Sequence, residues 1–294
     1  MIDDNQERGQ LMPAILSIQS AVAYGHVGNN AATLPLQRLG FDVWPVNTVQ
    51  LGHHPGYGRF AGHIVEPDRV SVIIDGVLEQ APLATCAGLL VGYLGDVAIA
   101  DHVIGAWQAI HTKQPGSVFL LDPVIGDDGP GVFVKEAVPA AIRDRLLPLA
   151  QIVTPNRFEL AWLSGQEVNN IDQARQAAVA LLDLGPDLVV ATGLSSPDHP
   201  DHLGILAVSR GQTWLVLTPR LSQHFSGTGD AFSALLLGHF LQAPDTKTTL
   251  ERAATAIFSL VEITAERGDS ELSIVAAQDV MAAPTKRFPA TRLT

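Results

Sequence analysis

Short apolar runs alternate with helix-length amphipathic stretches along most of this chain, and that alternation limits the possible folds more than any other feature of it. Strands are read at residues 14–19, 42–47, 88–93, 118–122, 152–154 and 188–192. Helical patterns fill the gaps at 30–39, 69–79, 97–111, 137–146, 158–163 and 171–184. Such an order means βαβ units, a mostly parallel central sheet and helices on both faces, a three-layer α/β/α arrangement. Two later runs, 203–208 and 213–218, flank Ser209-Arg210-Gly211-Gln212 and read as an antiparallel hairpin, after which long helices follow at 230–242 and 250–266. No linker, repeat or low-complexity block interrupts the pattern. The expectation is one domain over residues 13–294, preceded by a disordered extension at 1–12.

Composition narrows the function. The 294 residues are 47% hydrophobic and 16% charged, which supports a large buried core. A net charge of −12 argues against a nucleic-acid binder, which would present a basic face. No apolar run approaches the roughly 18 residues of a membrane span, and the polar, acidic start has no secretory pattern. The lone Cys86 precludes an intrachain disulfide, reads as a small core residue, and fits a cytoplasmic location.

In open α/β sheets, ligands sit beyond the carboxyl ends of the strands. The polar residues closing the expected strands are Ser20, Asn47 and Thr48, Tyr93, Asp122 with Asp127, then Thr154, Asn156 and Glu159, and Thr192. Ordinary turn chemistry accounts for many polar strand ends. The segment Ser226-Gly227-Thr228-Gly229-Asp230 is more telling, because a long apolar helix pattern begins directly after it. Free N–H groups at a helix start attract anions, and glycines let backbone approach a ligand closely. An aspartate there is either an ordinary cap or a base that takes a proton from a hydroxyl attacking phosphorus. None of the lysines (Lys113, Lys135, Lys247, Lys286) follows a Gly-rich loop, so a Walker-type P-loop is excluded. His53, His54 and His63 match no standard zinc spacing.

The ordered blocks resemble the ribokinase-like superfamily and, within it, the pyridoxal kinases of vitamin B6 salvage. The resemblance runs from about Ala14 to the end of the chain. Its first blocks are Ser17-Ile18-Gln19-Ser20 with Gly25, Val27-Gly28-Asn29 and Ala31-Ala32, then Val46-Asn47-Thr48-Val49-Gln50 with His54, Gly56 and Tyr57. Gly92-Tyr93, Asp122-Pro123-Val124-Ile125-Gly126-Asp127, Thr154-Pro155-Asn156-Arg157-Phe158-Glu159 and Gly227-Thr228-Gly229-Asp230 follow in order.

What the resemblance implies is ATP-dependent phosphorylation of the 5′-hydroxymethyl group of pyridoxal. Asp230 would be the general base, and the Gly227, Thr228 and Gly229 amides the anion hole. Asp122 and Glu159 would serve Mg²⁺, a hard cation that takes oxygen ligands and keeps several waters. Family kinases also use a monovalent cation such as K⁺, and many are homodimers. Asp122, Asp127, Thr154, Asn156, Glu159, Thr192, Gly227 and Thr228 would line the nucleotide site, with residues 127–131 as a flap. Ser20 would meet the pyridine ring, walled by His54, Tyr57 and Tyr93. The chain departs from the family at Pro55, where pyridoxal kinases commonly carry a threonine; proline offers neither hydroxyl nor N–H. Two alternatives stand beside this reading: a hydroxymethylpyrimidine kinase, whose anion-hole turn usually holds a cysteine where Thr228 stands, and a weakly active protein that binds B6 vitamers.

Overall fold

The structure is a computed structural model and describes residues 12–59, 61–285 and 287–293. The extension expected at 1–12 lies, apart from Met12, outside the described residues.

The chain opens with β1 (Ala14–Val22), α1 (Asn29–Arg38), β2 (Asp42–Leu51), the short β3 (Gly62–Ile64), α2 (Pro67–Gln80), β4 (Cys86–Val91), α3 (Ile99–Lys113) and β5 (Val118–Leu121). A small hairpin follows, β6 (Gly126–Asp127) and β7 (Gly131–Val132), then α4 (Ala137–Ala141), β8 (Ile152–Val153), α5 (Arg157–Ser164) and α6 (Ile171–Leu182). The last part holds β9 (Leu188–Ser196), β10 (His199–Ser209), β11 (Gln212–Pro219), α7 (Thr228–Gln242), α8 (Thr246–Arg267), α9 (Gln278–Ala282) and β12 (Thr291–Leu293).

Among the described residues, ten strands form one sheet in the order β12-β11-β10-β9-β8-β5-β4-β1-β2-β3. Its centre, from β2 to β9, is parallel. Antiparallel pairing is confined to the margins, β3 on β2 and β10–β12 beyond β9. The parallel strands are apolar on both sides, and each side has its own core. On one face Leu89, Val91, Phe119 and Leu121 pack with α2, α3, α5 and α6. On the other, Ile15, Leu90, Leu120 and Val190 pack with α1, α7, α8 and α9. Helix α7 is apolar nearly all round, with Ala231 through His239 buried, as a helix enclosed by sheet and neighbouring helices must be. The three-layer α/β/α fold expected from the alternation is the one found.

Several strands run further than their apolar cores. Ser20 lies inside β1 rather than after it, Asn47 and Thr48 lie inside β2, and Thr192 lies inside β9. The register between β1 and β2 shifts between Gln19 and Ala21, so Ser20 stands at an irregularity that re-aims its side chain.

Candidate active site

The carboxyl ends of β1, β4, β5 and β8 and the start of α7 gather most of the expected site residues. Gly227 caps α7 with φ 84°, and a Cβ there would lie 1.8 Å from the His26 carbonyl oxygen. Only glycine lets the turn rest on that backbone. Thr228 donates its hydroxyl to the Phe225 carbonyl at 2.8 Å, which stiffens the turn and leaves its amide free of that bond. Asp230 follows in the first turn. The Gly28 N–H, on the loop after β1, lies near enough to favour its ionised form. Gly28 in turn packs against Ser20, where a Cβ would come 2.2 Å from the Ser20 carbonyl oxygen. Ser20 and Gly28 are therefore fixed relative to one another. Asp230 keeps some accessible surface, yet the protein around it pushes its pKa up; the Gly28 N–H and the His54 ring oppose that rise.

Asp122 follows β5 and is buried. It accepts from the Ser233 hydroxyl at 3.0 Å, and Ser233 pairs with the Thr154 hydroxyl at 2.8 Å. Burial first, then the charges of Glu159 and Asp230, raise the Asp122 pKa well above the usual carboxylate range. Glu159 is also buried, and its pKa is pushed up to about 8 by desolvation, against three opposing N–H bonds. Those bonds define it: one oxygen accepts from Asn156 N–H at 2.9 Å and the other from Ile125 N–H at 3.0 Å, with Gly126 N–H at 3.5 Å. Asn156 completes a capping box by accepting from Glu159 N–H and donates its amide to the Gly126 carbonyl at 2.8 Å. Both side chains thus grip the base of the β6–β7 hairpin. Its tip is tied to α5 through the Asp128–Arg157 pair. Thr192 meets Asn156 across an isolated bridge.

The donor set suits a hard cation. Three carboxylates crowd one end of the sheet, and the burial of Asp122 lacks a compensating positive charge. Among the described residues no group of three or more His, Cys, Asp or Glu side chains could hold a metal alone; Mg²⁺ carried by substrate phosphates takes only one or two carboxylates. Asp122 Oδ1 would be the direct ligand. Glu159, with both oxygens accepting N–H bonds, would act through water.

On the substrate side, Tyr93 packs with Val22, Val27, Val49 and Leu51 in a small apolar wall. His54 caps the single turn Pro55–Tyr57, its Nδ1 accepting from Gly56 N–H at 3.1 Å and lying 3.4 Å from Ser226 Oγ. Burial lowers its pKa, with Glu271 and Asp230 pulling the other way. Pro55 opens that turn, a position where a missing N–H costs nothing. Tyr57 is half exposed and donates to Glu271.

Comparison with known proteins fits this arrangement. The chain is 43% identical over 281 residues to the pyridoxal kinase PdxY of Rubrobacter xylanophilus, covering 95% of this chain and 97% of that one. The chain belongs to the pyridoxal kinase family. A family model described as phosphomethylpyrimidine kinase matches residues 57–274, which places the pyridoxal kinase match within a broader kinase group. Among solved structures, pyridoxal kinase from Leishmania donovani in complex with ADP and ginkgotoxin superposes with a TM-score of 0.90 at 33% identity, covering 96% of this chain and all of that one. The same enzyme in complex with ADP and pyridoxamine gives a TM-score of 0.89.

Three features of this pyridoxal kinase site escape a reading of strand ends. Ser233 sits one helical turn after Asp230 within an apolar helix; only the i, i+3 spacing marks it. The Gly28 amide has no side chain to signal its role. Glu271 lies in a polar stretch after α8, with no local pattern to distinguish it. An open cleft of about 590 Å³ beside the β10–β11 turn, flanked by Arg175 and Arg292, lies at the amino-terminal end of β9, away from these carboxylates.

Proposed function

We propose that this chain is an ATP-dependent pyridoxal kinase that phosphorylates the 5′-hydroxymethyl group to give pyridoxal 5′-phosphate. The observation that carries the reading is the setting of Asp230. It stands in the first turn of α7, just after the αL Gly227, with the Gly28 N–H and the His54 ring favouring its ionised form. A carboxylate so placed receives the hydroxyl proton as oxygen attacks phosphorus, and its raised pKa improves it as a base. The Gly227, Thr228 and Gly229 amides stabilise charge on the transferred group. Ser20 orients the pyridine ring, with His54, Tyr57 and Tyr93 around it. Neutral His54, its Nδ1 already accepting, presents Nε2–H as a donor.

On the nucleotide side, Asn156, Thr192 and Asp127 border the phosphates, and Thr154 acts through Ser233 on Asp122. Bound Mg²⁺ would neutralise phosphate charge at Asp122 and, through water, Glu159; a monovalent cation such as K⁺ would sit by the anion hole. The β6–β7 hairpin closes over the nucleotide. The protein works as a single domain of residues 13–294, as a homodimer and in the cytoplasm; among the described residues no helix is long and apolar enough to cross a membrane.

Asp230→Asn tests the assignment. Turnover of ATP with pyridoxal should drop about 10²–10⁴-fold, the usual contribution of a general base, while both ligands still bind by calorimetry. Near-normal turnover overturns it. The broader family match favours one second reading, a hydroxymethylpyrimidine kinase. Thr228 in the anion-hole turn speaks against it, and parallel assays on both substrates decide.

A further inference from the structure

Glu271 joins three segments that are remote in sequence. One carboxylate oxygen accepts from the Tyr57 hydroxyl and the other from His26 N–H at 2.9 Å. Gly25 packs flat against the same carboxylate, since a Cβ there would come 2.4 Å from Oε2. The segment held on one side, residues 25–28, is the one on which the anion-hole turn rests through the His26 carbonyl, and its Gly28 N–H favours the ionised form of Asp230. The segment held on the other side, residues 54–57, carries His54, which faces Ser226.

The 54–57 turn needs such an anchor. It is a single 3₁₀ turn between Gly52 and Gly58, and Gly58 lies at φ 106°. Flanking glycines make it costly to order. Its internal bonds are few, and the rings that Tyr57 meets are the exposed Tyr24 and the part-buried His53. Tyr57 is 50% exposed and Tyr24 60%, so packing alone does not fix either ring. A carboxylate bond to a phenol is charge-assisted and among the stronger contacts available to such a loop.

We infer that Glu271 is a positioning residue that locks the substrate-side turn at 54–57 to the 25–28 segment beneath Asp230, so that vitamer binding and the base share one support. The inference rests on the pyridoxal kinase reading for its kinetic consequence but not for its structural one. Glu271 touches no reacting atom. Its carboxylate has two oxygens with two different duties; an amide of the same shape can meet the phenol only if the hydroxyl turns to accept, so the charge-assisted bond is lost either way.

Glu271→Gln, which keeps size and shape, and Tyr57→Phe are the variants. In the ligand-free protein, amide hydrogen exchange should quicken in peptides spanning 25–28 and 53–58 of Glu271→Gln and stay unchanged in α8. Kinetically, Glu271→Gln should raise the KM for pyridoxal on the order of tenfold, the size of one lost charge-assisted bond, and leave the KM for ATP within about twofold. Combining it with Tyr57→Phe should add little, because the two changes remove one contact. Unchanged exchange at both segments, an equal rise in both KM values, or fully multiplicative effects would each overturn the inference. If the unaltered protein does not phosphorylate pyridoxal, the functional reading fails, and the exchange measurement still decides the role of Glu271.

Discussion

Asp230 is held between two groups of opposite effect. Burial lifts its pKa, and the Gly28 N–H and the His54 ring restrain it. A general base works only when deprotonated, so kcat/KM falls as pH drops through that raised pKa. Burial lowers the His54 pKa, and the ring, when charged, favours the ionised form of Asp230. His54→Gln removes that charge and should move the acidic limb of the pH–rate profile to higher pH. A limb that moves down, or stays, would show that His54 does not act on the base. At this scale the sequence disclosed the carboxylates, because Asp230, Asp122 and Glu159 sit where strands end and helices begin. It hid their partners. Ser233 looks like any small residue in an apolar helix, and Glu271 acquires meaning only through Tyr57 and His26, both far from it along the chain.

Among the elements, long periodic segments were legible and short ones were not. Helices α1, α2, α3, α6, α7 and α8 follow their apolar spacing. The fourth helical pattern splits into α4 and a wider π-type turn at Ile142–Leu146. Strands β3, β6, β7 and β12 have two or three residues each and exist through pairing, which no local pattern announces. The most burdened element is α7. His239 is 4% exposed there, and neither ring nitrogen has a hydrogen-bond partner. Burial lowers its pKa to about 4, from an ordinary 6.5, with the nearby Gln242 amide opposing the shift and Arg252 adding to it. The unfolded chain therefore binds the proton more readily between those values. The stability from keeping His239 neutral is present above about pH 6.5 and is lost as pH falls towards 4, up to ~3 kcal/mol. His239→Leu should lose less thermal stability than the parent between pH 7.5 and 5, measured by Tm. An equal loss in both would mean that other groups govern acid sensitivity.

For the whole molecule, the sheet solves a problem of assembly. A parallel centre brings residues as distant as Ser20, Asp122 and Asp230 to one edge, and the antiparallel margins close it off. The alternation in the sequence foretold this convergence, since crossover connections return every strand in the same direction. What it could not foretell is how much negative charge would meet there. In a chain of net charge −12, an edge with three buried or part-buried carboxylates needs a cation before it accepts a nucleotide. Chelation with EDTA should abolish turnover, and added Mg²⁺ should restore it. Asp122→Asn should raise the Mg²⁺ concentration for half-maximal rate at least about tenfold, the order expected on losing a carboxylate ligand. An unaltered Mg²⁺ requirement would remove Asp122 from the metal.

Glu159 has one further consequence. The carboxylate that closes the first turn of α5 also receives the amides at the root of the β6–β7 hairpin. Fraying that helix and lifting that hairpin consequently draw on the same bonds. By thermodynamic reciprocity, whatever stabilises one stabilises the other to the same degree. Under the proposed closure of the hairpin over nucleotide, occupancy of the site would be felt by α5 through one side chain.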